Sequence, residues 1–367
     1  MKNINFLLRD QLKNFKPYVW ELEEEKYGQK YQLKKIVRFD TATPAQIPNI
    51  WPDFIQIIDQ ERAVNDYKDP GYFRLKKAVT QYEQLPKNMV TLTNSGDEAI
   101  DVICKTFLNQ NDNVIICPPT YGMYKVQTAI NGGEVLEVPL KKNWQLDTQK
   151  IINTAKKHKT KIIFLCSPNN PTGTSLDKLD IEYLAQKTNS IILIDEAYRE
   201  FCEDNFNDLA LKYNNVVILR SFSKFACIAG ARVGYLIANK QLTKIFDSIR
   251  FPMGVSYFSQ EIALSVLTTK GLKFIEKFTN KIKQERSRVT KKYLENNFNV
   301  IPSEANFFCL YLPGKTAELV EQLKREGLFI KNVSGKKNLN SAVRIGIRAE
   351  KDNDLLFEKI KNFYAEN

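Results

Sequence analysis

Histidine is almost absent from this 367-residue chain, which has a single copy, His158, in the polar stretch KKHKT. The six cysteines are scattered, and no two of them form a CxxC pair. Zinc sites need clustered Cys and His, and disulfide frameworks need cysteines at regular spacings. We therefore predict no metal site, no disulfide framework and no catalytic triad that depends on histidine, with His158 at the surface.

Long apolar runs are also missing. No run approaches the length of a membrane span, and the N-terminus MKNINFLLRDQL lacks the apolar stretch of a signal peptide. Apolar residues make up 43% of the chain and charged residues 26%, which is typical of a globular protein. We expect a cytoplasmic protein that does not bind a membrane.

The net charge is +12, but the lysines are spread along the chain without a long basic tail. No zinc-finger spacing or RNA-binding aromatic motif accompanies them. The charge therefore predicts a solvated basic surface suited to anionic small molecules, and we expect no nucleic-acid partner.

Between Val90 and about Ala238, short β-rich runs alternate with segments of helix length. Nearly continuous apolar strands separated by helices indicate a largely parallel sheet that is covered on both faces. The runs are MVTLT, NVIIC, KIIFLC, SIILID, NVVILR and VGYLIA.

After Phe251 the pattern changes to long lysine-rich helical stretches and three short strand-like runs, ANFFCLYL, LFIKNV and AVRIGI. A chain of this length exceeds the usual size of one hydrophobic core. The sequence predicts an α/β protein with an N-terminal arm and helix (1–40), a large domain (41–250) and a smaller α+β domain (251–367).

The stretch SFSKFACIAGARVGY follows the apolar run NVVIL and contains Lys224. Ser221, Ser223 and Arg232 surround this lysine, and hydroxyls, backbone amides and an arginine together suit a phosphate dianion. Lys224 is then either a charge partner of the phosphate or a nucleophile that forms a Schiff base with a carbonyl cofactor.

Two other strand ends favour the second reading. The run SIILIDEAYREF ends a strand at Asp195 and continues to Tyr198, and FLCSPNNPTG ends another strand just before Asn170. Open α/β sheets bind ligands at the carboxyl ends of their strands. A carboxylate for a pyridinium nitrogen, a phenol and an amide for a ring oxygen, and a lysine for an aldehyde match a pyridine aldehyde phosphate.

The sequence resembles the fold-type I, pyridoxal-phosphate-dependent aminotransferases of classes I and II, and within them the histidinol-phosphate aminotransferases. The shared stretches appear in order over most of residues 60 to 350. They are TNSGDEAI, CPPTYGMY, NWQLD, CSPNNPTG, DEAYREF, SFSKFxxxAGxRxGY, SEANF and VRI.

The resemblance implies a role for each matching position. Lys224 would hold the cofactor aldehyde and move protons, Asp195 would pair with the pyridinium nitrogen, and Tyr198 and Asn170 would bond the ring hydroxyl. Tyr121 would stack on the ring. The phosphate would be bound by Gly96, Asp97, Ser221, Ser223 and Arg232.

The resemblance also implies a homodimer with shared active sites, because Tyr67 occupies the position that reaches the cofactor phosphate of the neighbouring subunit. Arg344, in AVRIGI, matches the arginine that binds the substrate carboxylate. Tyr18 matches a tyrosine near the substrate phosphate, and Asn170 borders the substrate as well as the cofactor.

Three departures from the family pattern bear on the substrate. Asp40, Thr41, Ala42 and Thr43 stand where the family has an Asn-Glu-Asn-Pro segment; Lys331 and Arg348 replace an arginine and a glycine, respectively. These changes are either neutral or a rebuilt substrate pocket with Lys331 and Arg348 as substrate contacts.

The substrate reading stays open between two enzymes. One is an aminotransferase that moves an amino group from glutamate to a small phosphorylated ketone or aldehyde. The other, favoured by the likeness of Arg348 to the threonine-phosphate decarboxylase branch, is a decarboxylase of serine or threonine phosphate. A transcriptional regulator is disfavoured, because the 40-residue arm is too short for a DNA-binding domain.

Overall fold

The structure, a computed structural model, describes residue 9 and residues 24–43, 69–312 and 314–366. Tyr18 and Tyr67 lie outside these residues. The helices that it describes are α1 Glu24–Lys30, α2 Phe73–Tyr82, α3 Ser95–Phe107, α4 Met123–Ile130, α5 Thr148–His158, α6 Lys178–Lys187, α7 Asn207–Lys212, α8 Phe222–Phe225, α9 Lys240–Ile249, α10 Tyr257–Val266, α11 Thr269–Glu295, α12 Thr316–Arg325 and α13 Glu350–Glu366.

The strands fall into one large sheet and two small ones. They are β1 Val37–Arg38, β2 Val90–Thr93, β3 Asn113–Ile116, β4 Glu134–Glu137, β5 Ile162–Cys166, β6 Ile191–Asp195, β7 Val216–Ser221, β8 Gly234–Ile237, β9 Asn299–Ile301, β10 Phe307–Tyr311, β11 Leu328–Phe329, β12 Lys331–Asn332 and β13 Ala342–Gly346.

The large sheet has the predicted, mostly parallel arrangement, with the strand order β2-β8-β7-β6-β5-β3-β4. The apolar strands alternate their side chains between two cores, because successive residues of a strand point to opposite faces. On β5, for example, Ile163 and Leu165 pack in one core while Ile162 and Phe164 pack in the other. Burial of both faces explains why these strands appear in the sequence as continuous apolar runs.

Strand β8 is the antiparallel member of this sheet, pairing with both β7 and β2. Ser221 at the end of β7 lies opposite Gly234 at the start of β8, so residues 222–233 form a closed connection at the carboxyl end of β7. That connection contains Lys224 and Arg232, which it holds close together.

A four-stranded antiparallel sheet, β12-β13-β10-β9, is formed by the C-terminal part of the chain. The long helix α11 and helix α13 pack on it around a separate core. The N-terminal strand β1 pairs in parallel with β11, and Phe39 and Ala42 pack in this same core. Residues 37–42 therefore pack with the C-terminal part of the chain, although β1 and β11 form a two-stranded sheet of their own.

The predicted domain boundaries stay a prediction. Residues 255–275 contribute Val255, Ala263 and Val266 to the core beneath the large sheet. Residues 37–42 contribute to the core of the small sheet.

None of the helices within the described ranges combines the length and the apolar composition that crossing a bilayer would require.

A charged cluster is buried behind the carboxyl ends of β6 and β7. Arg220 is 1% exposed, and its Nη2 atom lies 3.2 Å from Glu196 Oε2 and 3.6 Å from Glu83 Oε2. Tyr235 donates a hydrogen bond to Glu83 Oε1 over 2.5 Å, and Arg220 donates one to Asn207 over 3.2 Å. Arg220 and Glu196 immediately adjoin Ser221 and Asp195, so this cluster fixes the two strand ends from behind.

Candidate active site

A cavity of about 650 Å³ opens at the carboxyl ends of the parallel strands, between the large sheet and the C-terminal sheet. Most of the residues that the sequence singled out line it. They are Gly96, Asp97, Tyr121, Asn170, Asp195, Tyr198, Ser221, Ser223, Lys224, Arg232, Lys331 and Arg344. Arg348 lies behind the cavity wall, where its side chain is buried.

Lys224 lies in the short helix α8, which Ser221 caps by accepting a hydrogen bond from the Ser223 amide over 3.2 Å. The Lys224 Nζ atom is 5.8 Å from the centre of the Tyr198 ring. Burial and the nearby Arg344 lower the pKa of the Lys224 amine from 10.5 to about 8, and Asp97 opposes this shift. A larger share of neutral amine is thus present near neutral pH, as a nucleophile requires.

Asp195 ends β6 and is 5% exposed. Its Oδ2 atom accepts a hydrogen bond from the Tyr124 hydroxyl over 2.7 Å, and its Oδ1 atom accepts one from the Ala197 amide over 3.0 Å. Burial raises the pKa of Asp195 from 3.8 to about 6, and these two hydrogen bonds oppose the rise. Asp195 therefore has a fixed orientation and prefers a cationic partner in the cavity.

Tyr124 was not among the predicted site residues, although it follows Tyr121 in the same PPTYGMY stretch. Its ring stacks on Phe164 with centroids 4.9 Å apart and meets Tyr121 edge-on at 5.7 Å. The three-residue spacing of the tyrosines could have indicated one helical face. Only the fold shows that the second hydroxyl reaches Asp195.

The predicted phosphate-binding residues meet at the N-terminus of α3. Arg232 Nη2 donates hydrogen bonds to Ser95 Oγ over 2.6 Å and to Asp97 Oδ2 over 2.8 Å. Tyr121 donates a hydrogen bond to the other Asp97 oxygen over 3.0 Å. Helix N-termini bind anions through their free amides and their positive dipole end, so this corner of the cavity suits a phosphate.

The close approach of β8 to α3 depends on a glycine. A Cβ atom at Gly234 would lie 2.6 Å from the Ser95 carbonyl carbon and 2.8 Å from the Gly96 nitrogen. Such distances are prohibitive for backbone atoms. Gly234 is therefore required for the α3 amides to lie beside Ser221 and Arg232.

Asn170 and Arg344 connect the two sides of the cavity. Arg344 Nη1 donates a hydrogen bond to Asn170 Oδ1 over 2.7 Å, and Arg344 Nη2 donates one to the Asp40 carbonyl. The guanidinium is 5.1 Å from the Phe307 ring centre, and the residue is 9% exposed. Arg344 is thus held in one orientation at the cavity surface.

Lys331 lies directly opposite Arg344 in the register of β12 and β13. Directly opposed residues of antiparallel strands project from the same face of a sheet. Lys336, from the following loop, lines the same part of the cavity. This far side of the cavity is therefore strongly cationic.

Other residues that line the cavity were noted in the sequence only as departures or not at all. Asp40, Thr41 and Thr43 form part of its wall, and Arg38 binds both Asp40 oxygens over 2.7 and 2.8 Å. Arg348 donates hydrogen bonds to the Thr43 carbonyl and, over 3.2 Å, to Thr41 Oγ1. Two of the departures from the family pattern are thus in contact with each other.

The residues present fit a phosphorylated pyridine aldehyde. An amine of lowered pKa, a buried carboxylate, an aromatic ring and a corner of anion donors converge on one cavity. Comparisons with known proteins agree with this geometry: the family model described as "Aminotransferase class I and II" matches residues 36–360.

The chain belongs to the class I and II aminotransferase family. The histidinol-phosphate aminotransferase of Thermoanaerobacter pseudethanolicus is 33% identical to it over 360 residues, which are 98% of this chain and 99% of that protein.

Solved structures of the family share the fold. The histidinol-phosphate aminotransferase of Sinorhizobium meliloti, solved in complex with pyridoxal-5'-phosphate, superposes with a TM-score of 0.85 at 21% identity, covering 97% of this chain and 98% of that one. L-threonine-O-3-phosphate decarboxylase from Porphyromonas gingivalis superposes with a TM-score of 0.74 at 23% identity, covering 90% and 100%. The predicted family, fold class, enzyme class and cofactor are confirmed by these comparisons.

Proposed function

We propose that this aminotransferase moves an amino group from glutamate to a small phosphorylated ketone or aldehyde, as a histidinol-phosphate-aminotransferase-like enzyme. The observation that carries the proposal is the position of Lys331 and Arg344. Both lie on one face of the small sheet and line the same cavity as Lys224. Two cations there, with Lys336 beside them, suit a substrate that carries a carboxylate or a phosphate at a distance from its reacting carbon.

We assign the cofactor contacts from the family resemblance, and the position of these residues around one cavity supports the assignment. Lys224 would hold the aldehyde of pyridoxal phosphate, Asp195 its ring nitrogen, and Tyr198 and Asn170 its ring oxygen. Tyr121 would stack on the ring, and the phosphate would lie among Gly96, Asp97, Ser221, Ser223 and Arg232. When bound, the cofactor supplies an electron sink for the bonds of the substrate α-carbon.

The side chains of the protein supply the remaining chemistry. Lys224 Nζ, once free, accepts the proton of the substrate α-carbon, for which its lowered pKa suits it. Asp195 stays ionised beside a ring cation because Tyr124 and the Ala197 amide hold its two oxygens. Arg344 orients the substrate by pairing with its carboxylate through two parallel hydrogen bonds.

The resemblance at Tyr67 leads us to propose a homodimer. Two large apolar side chains, Phe73 and Phe251, are 75% and 72% exposed, and a hydrogen bond of 3.2 Å from Arg250 to the Pro70 carbonyl joins their two segments. The Phe251 amide donates a hydrogen bond to Glu98, which adjoins Asp97 of the phosphate corner. A second copy of the chain on this surface would cover both rings, and sedimentation equilibrium at micromolar concentration should give twice the chain mass.

The cofactor spectrum tests the proposal. Adding glutamate to the cofactor-loaded protein should shift the visible absorbance of the bound cofactor, and a phosphorylated imidazolyl ketone should reverse the shift. Lys224→Ala should abolish turnover and retain part of the cofactor binding, whereas Lys244→Ala, an exposed lysine of α9, should behave as the native protein. Full activity of the Lys224→Ala variant would refute the assignment.

Decarboxylation is the alternative outcome of the same assay. It uses the same lysine, but the bond to the substrate carboxylate breaks instead of the bond to hydrogen. Release of carbon dioxide from serine or threonine phosphate, with no ketone product and no response to glutamate, would replace the first proposal with the second.

A further inference from the structure

Residues 39–43, which we call the wall segment, follow β1 and contribute to one side of the cavity. Asp40, Thr41 and Thr43 of this segment line the cavity. Ala42 adopts a left-handed backbone conformation with φ 47°, which is costly for a residue with a Cβ atom. A segment with such strain needs external contacts to keep its conformation.

These contacts come from the C-terminal part of the chain. Backbone carbonyls of the wall segment accept hydrogen bonds from the Gly346 amide, Arg344, Asn306 and Arg348. The Gly346 amide donates to the Phe39 carbonyl over 2.7 Å, and Arg344 donates to the Asp40 carbonyl. Asn306 donates to the Ala42 carbonyl over 2.9 Å, and Arg348 donates to the Thr43 carbonyl.

Arg348 donates to the Thr43 carbonyl. Of these four donors, it alone has a described hydrogen bond to a side chain of the wall segment as well. Its Nη2 atom donates to Thr41 Oγ1 over 3.2 Å. Asn353 anchors Arg348 in turn, accepting from its amide over 3.0 Å and donating to its carbonyl over 2.8 Å. Arg348 is 7% exposed, so its charge lies behind the wall and outside the cavity.

We propose that Arg348 is a positioning residue that fixes the hydroxyls of Thr41 and Thr43 as substrate-binding groups. The two hydroxyl oxygens are 2.6 Å apart and share a hydrogen bond, so Arg348 orients both by holding one of them and the Thr43 carbonyl. A glycine at 348, as in the family pattern, has no side chain to make these contacts. The departures at 40–43 and at 348 therefore form one structural unit.

The chemistry of the wall indicates what it binds. Arg38 occupies both oxygens of the Asp40 carboxylate, so the groups that the wall offers to a ligand are neutral hydroxyls. Lys331, Lys336 and Arg344 border the same cavity with positive charge. An anionic substrate with further oxygen acceptors, such as a phosphate ester, fits this combination. This inference rests on the proposed function, since it assigns the hydroxyls to the substrate of that reaction.

Hydrogen exchange tests the positioning step without any substrate. The variants are Arg348→Met, which keeps the buried stem without donors, Arg348→Lys, which keeps one donor group, and Thr41→Val, which removes the side-chain acceptor. In the cofactor-loaded protein, amides of residues 40–43 should exchange roughly tenfold faster in Arg348→Met, because a local opening becomes easier. In Arg348→Lys, the exchange rate of these amides should lie between that of Arg348→Met and that of the native protein.

Substrate binding tests the second step. The apparent dissociation constants of histidinol phosphate and of glutamate are measured from the absorbance change of the bound cofactor. Arg348→Met should weaken histidinol phosphate roughly tenfold, as expected when positioned hydrogen bonds to a charged ligand are lost. The limiting rate and the affinity for the cofactor should stay within about twofold of the native values, because the cofactor contacts are on the other side of the cavity.

The double variant Thr41→Val with Arg348→Met should bind little more weakly than either single variant, because both changes remove the same contact. Unchanged exchange at residues 40–43 in Arg348→Met, full additivity in the double variant, or an equal loss of cofactor affinity would each overturn the proposal. If the native protein responds to glutamate but not to histidinol phosphate, the proposed substrate is wrong, and glutamate binding decides the role of the wall. If it responds to neither, the proposed function fails, and the exchange rates alone decide the role of Arg348.

Discussion

The two sides of the cavity are assembled in different ways. On the side that we propose binds the cofactor, called the cofactor side below, Asp195 and Ser221 end their strands, and Lys224 follows β7 closely, so local sequence places each of them. On the side that we propose binds the substrate, called the substrate side below, the wall segment is held by Arg344 and Arg348, which lie 304 to 307 positions further along the chain. The cofactor side depends on where strands end, whereas the substrate side depends on how distant parts of the chain meet.

This difference indicates which side of the cavity tolerates substitution and which side does not. A strand end is set by the core of the sheet, which tolerates few substitutions. A wall held by a few long-range hydrogen bonds can be rebuilt by changing its two partners together, as at residues 40–43 and 348. Substitutions on the cofactor side should therefore affect mainly cofactor binding, and those on the other side should affect mainly substrate binding.

Gly234→Ala should break the cofactor side most severely. The new Cβ atom would meet the Ser95 backbone at 2.6 Å, and relieving such a clash costs about 3 kcal/mol. We expect the affinity for pyridoxal phosphate to fall by roughly a hundredfold if α3 moves away from Ser221 to absorb this strain. Gly230→Ala is the matched control, since a Cβ atom there meets no atom within 4 Å. Equal affinities in a cofactor titration of the two variants would contradict this account.

Arg344→Lys should break the substrate side. Lysine cannot hold Asn170 and the Asp40 carbonyl and still present a planar pair of donors to a carboxylate. We expect substrate affinity to fall roughly thirtyfold, corresponding to about 2 kcal/mol for a charged hydrogen-bonded pair. Arg325→Lys, on the exposed face of α12, should leave it unchanged. If cofactor affinity falls as much as substrate affinity, the two sides are not separable at this residue.

Tyr124→Phe should have a smaller effect on cofactor affinity, and this effect should depend on pH. Loss of the 2.7 Å hydrogen bond removes a contact that lowers the pKa of Asp195, so this pKa rises further above about 6. The carboxylate then becomes protonated at a higher pH, and cofactor affinity should decrease about tenfold when the pH is lowered towards 6, with less change at pH 8. Tyr183→Phe, at a 42% exposed position, is the control. A pH profile of cofactor binding that matches the native one would exclude this role for Tyr124.

A substitution in the buried Arg220 cluster should change the pH dependence of the free energy of unfolding, and this is the smallest of the expected effects. Burial raises the pKa of Glu196 from 4.5 to about 7. The folded protein thus binds more protons than the unfolded chain between these values, so this group's contribution to stability decreases as the pH rises through that interval. Glu196→Gln removes the titrating carboxyl. The free energy of unfolding, measured with urea, should then decrease less between about pH 5 and pH 8 than in the native protein. Glu134→Gln, an exposed control, should keep the native dependence, and an unchanged slope in Glu196→Gln would contradict the assignment.

The sequence allowed the convergence of Asp195, Ser221 and Lys224 on one cavity to be predicted, because apolar runs such as SIILID and NVVILR mark where strands end. It did not predict that β8 runs antiparallel, since the short connection through Lys224 returns the chain next to β7. It placed Arg348 in the substrate pocket, whereas the fold places its side chain behind Thr41 and Thr43. Strand β4 was missed because it lies at an edge, where its charged residues Glu134 and Glu137 hide the usual pattern.

The charge of Arg344, which a hydrogen bond to Asn170 holds in place, has a consequence for the proton affinity of Lys224. Arg344 is the main charged group that lowers the pKa of Lys224, so an anion paired with Arg344 should raise the proton affinity of the free amine. Thermodynamic reciprocity then requires the protonated lysine to favour the anion, and anion binding to the cofactor-free protein should weaken as the pH rises through about 8. An anionic substrate that paired with Arg344 would in this way change the proton affinity of the Lys224 amine through charge alone.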